Sequence, residues 1–290
     1  MSSNTHDRSA WFILFVLLTA SVAAPLNQFK APPVMPYLME TFELSVGTAG
    51  LLMSLFAATG LILALPAGFI FQKLGYRNTG LLAVGAVVIG ASLGAVSPDV
   101  FTMLASRVIE GVGMSFMTVV APAVIALRFP ADQRGTPMGI WATWVPLGST
   151  LMFVLAPPLV AAWNWQGVWW FGCLFAVAAW LLFYLFIRPA PDQRSAKADT
   201  ETTEMLTKKD LVRVLRNRDL WLISLVFCCF NYAFVAFLTW APTFLNALRA
   251  ISLGRASLLV SVLTIFSIVS LPLSGWISDR LGSRKLVCVV

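Results

Sequence analysis

The amino-acid sequence predicts an all-α membrane protein, a bundle of about eight to nine transmembrane helices. Of its 290 residues, 59% are hydrophobic and 11% are charged, whereas soluble domains carry about 25% charged residues. Apolar runs recur from end to end, each near the roughly 20 residues that a helix needs to cross a bilayer. The runs show no polar and apolar alternation, and lipid requires every backbone group to be paired internally. Helices are therefore expected rather than barrel strands.

The predicted spans follow the apolar runs in order. The first run resembles a cleavable signal peptide, but Asp7 offsets Arg8 before it, and Pro25 follows its small residues. We therefore favour an uncleaved first span. The spans are 11–35, 47–71, 79–97, 100–127, 137–161, 166–188, 220–246 and 256–277, with a ninth beginning near 285.

Positive charge is distributed unevenly between the loops. The net charge is +7, which in a soluble protein would suggest nucleic acid. With the N-terminus inside, 16 Lys and Arg residues fall in loops on that side, and Arg249 and Arg255 fall outside. This bias predicts a cytoplasmic N-terminus in a plasma or inner membrane and gives no reason to expect a nucleic-acid partner.

One long hydrophilic segment interrupts the apolar pattern. Residues 189–204 are rich in Pro, Asp, Ser, Lys and Thr, which predicts a flexible cytoplasmic linker. A basic amphipathic stretch at 206–216 follows, typical of a helix on the inner leaflet or of a docking site for a regulator. The predicted regions are 1–188, six helices; 189–219, the linker; and 220–290, helices 7, 8 and the start of 9.

The sequence repeats itself at a fixed spacing. Segment 45–54 matches segment 252–261 at its Gly, Ala, Leu and Ser positions, 207 residues apart. The same spacing holds at the far end of both spans, where Gly68, Gly75 and Arg77 recur as Gly275, Gly282 and Arg284. Because six spans separate the copies, both run in the same direction, as in transporters built from parallel repeats.

The second copy of the repeated loop, 275–285, resembles the G-x-L-x-D-R-x-G-R-[RK] signature of the major facilitator superfamily. The first copy, 68–78, departs from it, with Gln72 where the acidic residue belongs and Asn78 in place of a basic one. Segment 107–115 is similar to the family's R-x-x-x-G-x-G-x-[AS] motif. The tryptophan-rich loop 163–171 resembles the family's aromatic turn before the sixth helix, and predicts an interfacial aromatic belt or a sugar-stacking surface.

The resemblance implies a twelve-span transporter fold. It implies a complete first six-helix half, the start of a second half, and a chain that is incomplete at its C-terminus. In the family, contacts of the repeated loop latch the halves in one state; alternatively, these charges serve membrane topology alone. The latch candidates are Gly68, Gln72, Gly75, Arg77, Gly275, Asp279, Arg280, Gly282 and Arg284.

Ionisable residues at membrane depth are costly and indicate function. Arg107 and Glu110 lie three residues apart in span four, so they share a helix face and can pair. Lys30 lies near the outer end of span one with Asn27 one turn before it, and Pro32 follows where the helix can break. Lys30 either contacts substrate or snorkels to the interface. Arg107 and Glu110 either bind substrate or form a structural ion pair.

Asn231 and Tyr232 in span seven are further substrate candidates, with helix–helix packing as the alternative. If Lys30 and Arg107 face a cavity, two cations exceed one carboxylate, which suggests an organic anion. Glu110 is the sequence's candidate for proton coupling.

These features predict a secondary active transporter that works by alternating access, without catalytic residues, metal or cofactor. Its expected partners are a small-molecule substrate, a proton or other coupling ion, and the lipid bilayer, and the expected oligomeric state is a monomer. No His and carboxylate cluster or ATP-binding loop is present in the sequence to suggest an enzyme or pump. The alternatives are a non-transporting fragment and a transporter-derived sensor. The cysteines are read as small buried hydrophobes: Cys173, Cys228, Cys229 and Cys288.

Overall fold

A computed structural model describes residues 3–130, 133–188, 216–249 and 251–281, and the side chains of 9–64, 66–130, 133–188, 216–249 and 251–274. The regular elements in these ranges are helices, which confirms the predicted fold class. The predicted ninth span lies outside the described residues, as do residues 189–215 of the predicted linker. The helices are α1 (Ser3–Gln28), a 3₁₀ turn (Pro32–Val34), α2 (Met35–Thr41), α3 (Val46–Ala95), α4 (Val100–Arg128), α5 (Gly135–Ala142), α6 (Trp144–Phe186), α7 (Arg218–Arg249) and α8 (Leu253–Leu281).

Seven segments of the described chain are long and apolar enough to cross a membrane. The longest, Gly135–Phe186, has 52 residues, and such a helix would extend about 78 Å at 1.5 Å per residue. A hydrocarbon core is about 30 Å thick, and the helix is broken at Trp163 and Asn164. This segment therefore accommodates two of the predicted spans, the fifth and the sixth.

The regular helix of the first predicted span ends earlier than the sequence suggested. Regular helix ends at Gln28, and the chain turns before the 3₁₀ turn and α2. Pro32 and Pro33 have no backbone N–H to donate, and they form the first two residues of the 3₁₀ turn that follows. Lys30 consequently lies in the turn after α1 and not on the helix predicted to run to residue 35.

The turn between spans two and three lies inside α3. Gly75 has φ 72° and ψ 171° there, a conformation that essentially requires glycine. The glycines of the repeated loop are expected to permit a tight turn and a close approach of helix ends, and the turn is confirmed at Gly75. Gly68 has open space where a Cβ would project, so in this structure the expected close helix approach at Gly68 is wrong.

The break inside α6 has nearly the same backbone conformation. Asn164 has φ 58° and ψ −168°, although asparagine carries a Cβ. Its Oδ1 accepts a hydrogen bond from the Trp165 backbone N–H at 2.9 Å, a local contact that helps asparagine to occupy turns. The sequence loop at 162–165 is therefore a sharp helix break rather than an extended connection.

Arginines bind the carbonyl groups left free at two helix C-termini near the start of α1. Arg77 donates from Nε to the Ile187 carbonyl at 2.7 Å and from Nη2 to the Tyr184 carbonyl at 3.1 Å, at the end of α6. Arg134 donates to the Ala126 carbonyl at 2.7 Å, at the end of α4. The last carbonyls of a helix have no intrahelical partner, and a cation there also stabilises the helix dipole.

α8 packs along α5 and the first segment of α6. Thr150 Oγ1 donates to Thr264 Oγ1 at 2.6 Å. A cavity of about 230 Å³ lies between the 3₁₀ turn, α2, the α6 break and the start of α8. In contrast, the first half of α7 is exposed, so the predicted burial of Cys228 and Cys229 is wrong, whereas Cys173 is buried as predicted.

Candidate functional site

The candidate site surrounds Lys30, in the turn that follows α1. The side chain of Lys30 is 0% exposed, so it does not snorkel to a membrane interface. Its Nζ donates to Glu110 Oε1 at 2.5 Å and to Asn27 Oδ1 at 2.9 Å. The turn after α1 thus places a span-one cation on the carboxylate of α4.

Glu110 joins Lys30 to Arg107. Arg107 Nη1 donates to Glu110 Oε2, and these two residues are an i,i+3 pair on α4. The pairing predicted from the helical spacing is therefore confirmed. Both side chains are fully buried, and within the described chain the two salt bridges found are both made by Glu110.

Arg107 also binds three backbone carbonyls. Nη1 donates to the Asn27 carbonyl and Nη2 to the Gln28 carbonyl, each at 2.9 Å, at the C-terminus of α1. Nε donates to the Leu52 carbonyl of α3 at 3.0 Å. Arg107 therefore completes the end of one helix and ties α1, α3 and α4 together, as a structural ion pair is expected to do.

Asn27 connects the same cations to α6. Its Nδ2 donates to the Gly172 carbonyl at 3.1 Å and to the Ala23 carbonyl at 2.9 Å. These two bonds orient the amide so that Oδ1 accepts from Lys30. Asn27 is fully buried. It lies one turn before Lys30, as predicted, and contacts the Lys30 ammonium group.

Trp169 of α6 covers the site, and the sequence analysis missed it. Lys30 Nζ lies 4.7 Å from the centre of a Trp169 ring, a cation–π contact. The sequence assigned Trp169 and Trp165 to an interfacial aromatic belt, but they are 0% and 2% exposed, whereas Trp163 and Trp170 are exposed as expected. The four-residue spacing of Trp165 and Trp169 shows that they share a helix face, but not that this face meets Lys30.

We call Lys30, Glu110, Arg107, Asn27 and Trp169 the Lys30 cluster. It contains two cations and one carboxylate, all withdrawn from water. Buried charges require partners, so a proton on the carboxylate would leave two cations without their shared anion. The cluster can therefore bind a proton or an anion with a large effect on its own stability.

Other predicted site residues lie apart from the Lys30 cluster. Tyr232 is 79% exposed, and Asn231 donates to the Phe227 carbonyl of its own helix at 3.0 Å. Gln72 is exposed near the Gly75 break, where Arg77 contacts α6. Gly282 and Arg284 lie outside the described residues, as do the side chains of Asp279 and Arg280, whereas Gly275 lies within α8.

Two known proteins of similar sequence are transporters by name. The hexuronate transporter of Bacillus subtilis (strain 168) is 24% identical, over 96% of this chain and 68% of that protein. The probable sulfoacetate transporter of Cupriavidus necator is 24% identical, over 94% of this chain and 65% of that protein. The chain thus spans about two thirds of the length of these relatives.

The fold has solved counterparts. The crystal structure of a bacterial homologue of the human lysosomal transporter spinster, inward-facing and unoccupied, matches with a TM-score of 0.71 at 16% identity. The match covers 94% of this chain and 63% of that chain. The model of the Major Facilitator Superfamily matches residues 14–290. With its helical bundle and its repeated loop motif, the chain belongs to the major facilitator superfamily.

Proposed function

We propose that this chain is part of a secondary transporter that carries a small organic anion together with a proton by alternating access. The observation that supports the proposal is the Lys30 cluster, in which two buried cations share the carboxylate of Glu110. Its N-terminus is cytoplasmic in this proposal, in a plasma or inner membrane, as the loop charges favour. Residues 1–188 form the first six-helix half, and 220–290 begin the second.

The two cations have different roles in this proposal. Arg107 is held by backbone carbonyls at the end of α1 and on α3 in addition to Glu110. Lys30 is held by two side chains, Glu110 and Asn27, and by the Trp169 ring. Lys30 can exchange its carboxylate partner without unravelling a helix end. Lys30 is therefore the cation that meets the substrate, and Arg107 maintains the frame.

A proton and an anion then act on the cluster in a linked way. Protonation of Glu110 removes the negative partner of Lys30, and buried charge without a partner is costly. A substrate anion that enters beside Lys30 supplies the missing negative charge. Each ligand therefore favours the other, and one proton with one monoanion leaves the charge of the cluster unchanged.

The closed state of the cluster is consistent with alternating access. Lys30, Arg107 and Glu110 are 0% exposed, so substrate reaches Lys30 after the surrounding helices separate. The names of the relatives favour an anion, because hexuronate and sulfoacetate carry carboxylate or sulfonate groups. Because the named substrates of both relatives are acidic, they support organic anions as the substrate class. They do not identify the individual compound.

Counterflow in proteoliposomes tests the proposal. The protein is reconstituted and loaded with D-glucuronate, sulfoacetate or the neutral sugar D-xylose, and a trapped pH dye reports proton movement. We expect exchange of at least one anion, no exchange of D-xylose, and acidification of the lumen, where the dye is trapped, on net anion uptake. Glu110→Gln is expected to keep counterflow and lose proton movement, and Lys30→Gln to lose at least tenfold in anion counterflow.

A matched control is Arg255→Gln, which removes an exposed cation outside the cluster. We expect this variant to exchange anions as the parent does. Transport of D-xylose in preference to both anions, or unchanged anion exchange by Lys30→Gln, would contradict the proposal. Proton movement that persists in Glu110→Gln would remove Glu110 from the coupling role.

A further inference from the structure

Three glycines border the Lys30 cluster so closely that none has room for a side chain. They are Gly90 and Gly94, one turn apart on α3, and Gly172 on α6. We propose that these residues, the glycine seat, are positioning residues that hold the cluster together and set the pH at which it responds to a proton. This inference rests on the proposed proton-binding role of Glu110.

Gly90 lies against the carboxylate-bearing residue itself. A Cβ at Gly90 would lie 2.5 Å from Glu110 Cγ, 2.8 Å from the Ser106 carbonyl oxygen and 2.9 Å from the Glu110 backbone nitrogen. Two of these atoms belong to the backbone of α4, which cannot move without the helix. Glycine at this position therefore lets α4 approach α3 closely enough for Glu110 to reach both cations.

Gly94 lies against the aromatic cover. A Cβ there would overlap Trp169 Nε1, and it would lie 2.7 Å from Trp169 Cδ1 and 2.8 Å from Ser106 Oγ. The Nε1–H of Trp169 is buried and has no hydrogen-bond partner among the described residues. An unpaired buried donor is unfavourable, so close packing on Gly94, rather than a hydrogen bond, keeps this ring over Lys30.

Gly172 lies against the amide. A Cβ there would overlap Asn27 Oδ1, the atom that accepts from Lys30, and would lie 3.2 Å from Asn27 Cγ. The Gly172 carbonyl also accepts from Asn27 Nδ2. Gly172 thus fixes both ends of the amide, one through a hydrogen bond and the other through the absence of a side chain.

Two cations contact Glu110: Lys30, which follows α1, and Arg107 of α4. The nearby titratable group on α6 is the thiol of Cys173, which lies beside Gly172 and within hydrogen-bond distance of Ser92 on α3. The basic side chains of α3, Lys73 and Arg77, lie beside Gly75, about 20 Å from Gly90 at 1.5 Å per residue. A seat residue that moves Glu110 or Lys30 therefore weakens the two nearby cations as partners of the carboxylate, and the carboxylate then takes up a proton at higher pH.

The test measures the pH dependence of thermal stability, without any transport. The unfolding temperature Tm of the full chain in detergent is recorded from about pH 2 to about pH 9. The same chain with Glu110→Gln is measured alongside, and the difference is the Glu110-dependent part. We expect this part to fall on acidification, because protonated Glu110 no longer pairs with its cations. Its midpoint is expected to rise by at least about half a pH unit in Gly94→Ala and in Gly172→Ala.

Two further variants keep the inference falsifiable. In Gly94→Ala the atoms that the new Cβ would meet belong to side chains. The double variant Gly94→Ala with Trp169→Phe, in which the ring is shorter, should therefore have a midpoint within about 0.2 pH units of that of Trp169→Phe alone. Gly85→Ala is the matched control on the same helix, because its Cβ would lie at an ordinary 3.5 Å from Trp180 Nε1. We expect the midpoint of this control to equal that of the parent.

A merely structural role would lower Tm at every pH and leave the midpoint unchanged. That result in Gly94→Ala and Gly172→Ala overturns the inference, as does an equal midpoint shift in Gly85→Ala. A Glu110-dependent part that is constant with pH also overturns it. If anion counterflow fails but the midpoint shifts as expected in Gly94→Ala and Gly172→Ala, the proposed function is rejected and the inference about the glycine seat stands.

Discussion

At each end of the α1–α6 bundle an arginine binds the free carbonyls of a helix C-terminus, but the two arginines have different surroundings. Near the start of α1, a break at Gly75 lies beside Arg77, which binds the last carbonyls of α6. At the opposite end, α6 is broken at Asn164, in the same helix as Trp169. Arg107 binds the last carbonyls of α1 at this end. Both arginines complete a helix C-terminus, and both breaks have nearly the same backbone conformation.

The difference between the ends lies in burial and in the carboxylate. Arg77 is half-buried and lies 4.9 Å from the Tyr184 ring centre, with no carboxylate partner among the described residues. Arg107 is fully buried and shares Glu110 with Lys30. A capping arginine at the water boundary needs no anion, whereas one in the interior does. Because the buried arginine requires the carboxylate of Glu110 as a partner, a proton or a substrate that acts on this carboxylate also acts on the cap of α1.

The largest difference in stability between the two ends is expected when each arginine is replaced in turn. Arg107→Ala leaves Glu110 and two helix-end carbonyls without this partner, and we expect a loss of about 3–5 kcal/mol in stability. Arg77→Ala exposes carbonyls that water can reach, and we expect a loss of about 1 kcal/mol. Unfolding temperatures in one detergent measure both. Equal losses would contradict the distinction between a buried and a boundary cap.

Gly75→Ala tests the glycine break. At φ 72° and ψ 171° a Cβ is strained, so we expect a loss of about 1–3 kcal/mol. The measurement is the unfolding temperature, and the control is Gly68→Ala, whose Cβ would meet open space. A Gly75→Ala protein as stable as its Gly68→Ala counterpart would show that the α3 break relaxes without strain.

Asn164→Gly makes the opposite change at the other break. Glycine removes the Cβ from a strained conformation but also removes the hydrogen bond to the Trp165 N–H. We expect a net gain of about 0.5–1 kcal/mol, seen as a higher unfolding temperature. Asn164→Ala, which keeps the Cβ and loses the hydrogen bond, should fall below the parent. A destabilised Asn164→Gly would mean that the hydrogen bond outweighs the strain.

The smallest effect is expected at Asp99, an exposed carboxylate that caps α4. The Thr102 backbone N–H donates to Asp99 Oδ1 at 2.8 Å and lowers the pKa of Asp99 below its ordinary value of 3.8. A lowered pKa means that this stabilisation is complete above the ordinary value and is lost as pH falls through the folded value. The Tm difference between the parent and Asp99→Asn should therefore be constant down to about pH 4 and close below it. A difference that closes near neutral pH would contradict this assignment.

Local patterns predicted the parts of the site that lie within one helix or one turn. The Arg107 and Glu110 pair followed from their i,i+3 spacing, and the Gly75 turn followed from the loop motif. Asn164 was not predicted, because asparagine is a common turn residue and its spacing gives no φ value. These two breaks show that a backbone requirement is visible when glycine fills it and hidden when another residue does.

Contacts between distant helices were beyond sequence reasoning. Lys30 and Glu110 are 80 residues apart, and helical periodicity does not say which face of α4 meets the turn after α1. Trp169 was assigned to the membrane interface because indole rings favour that position, and the packing on Gly94 that draws it inward depends on three helices at once. The placement of Gly172 against Asn27 is of the same kind.

The cap on α1 has a consequence for biosynthesis. Arg107 lies 80 residues after the Asn27 carbonyl that it binds, and at roughly 5–20 residues per second its synthesis follows by roughly 4–16 s. Arg77, by comparison, is already made when the end of α6 emerges. The end of α1 is therefore completed only after the Arg107 part of α4 has been synthesised. A nascent chain stalled before Arg107 should leave the end of α1 accessible to proteases that no longer reach it once the fourth span has been inserted.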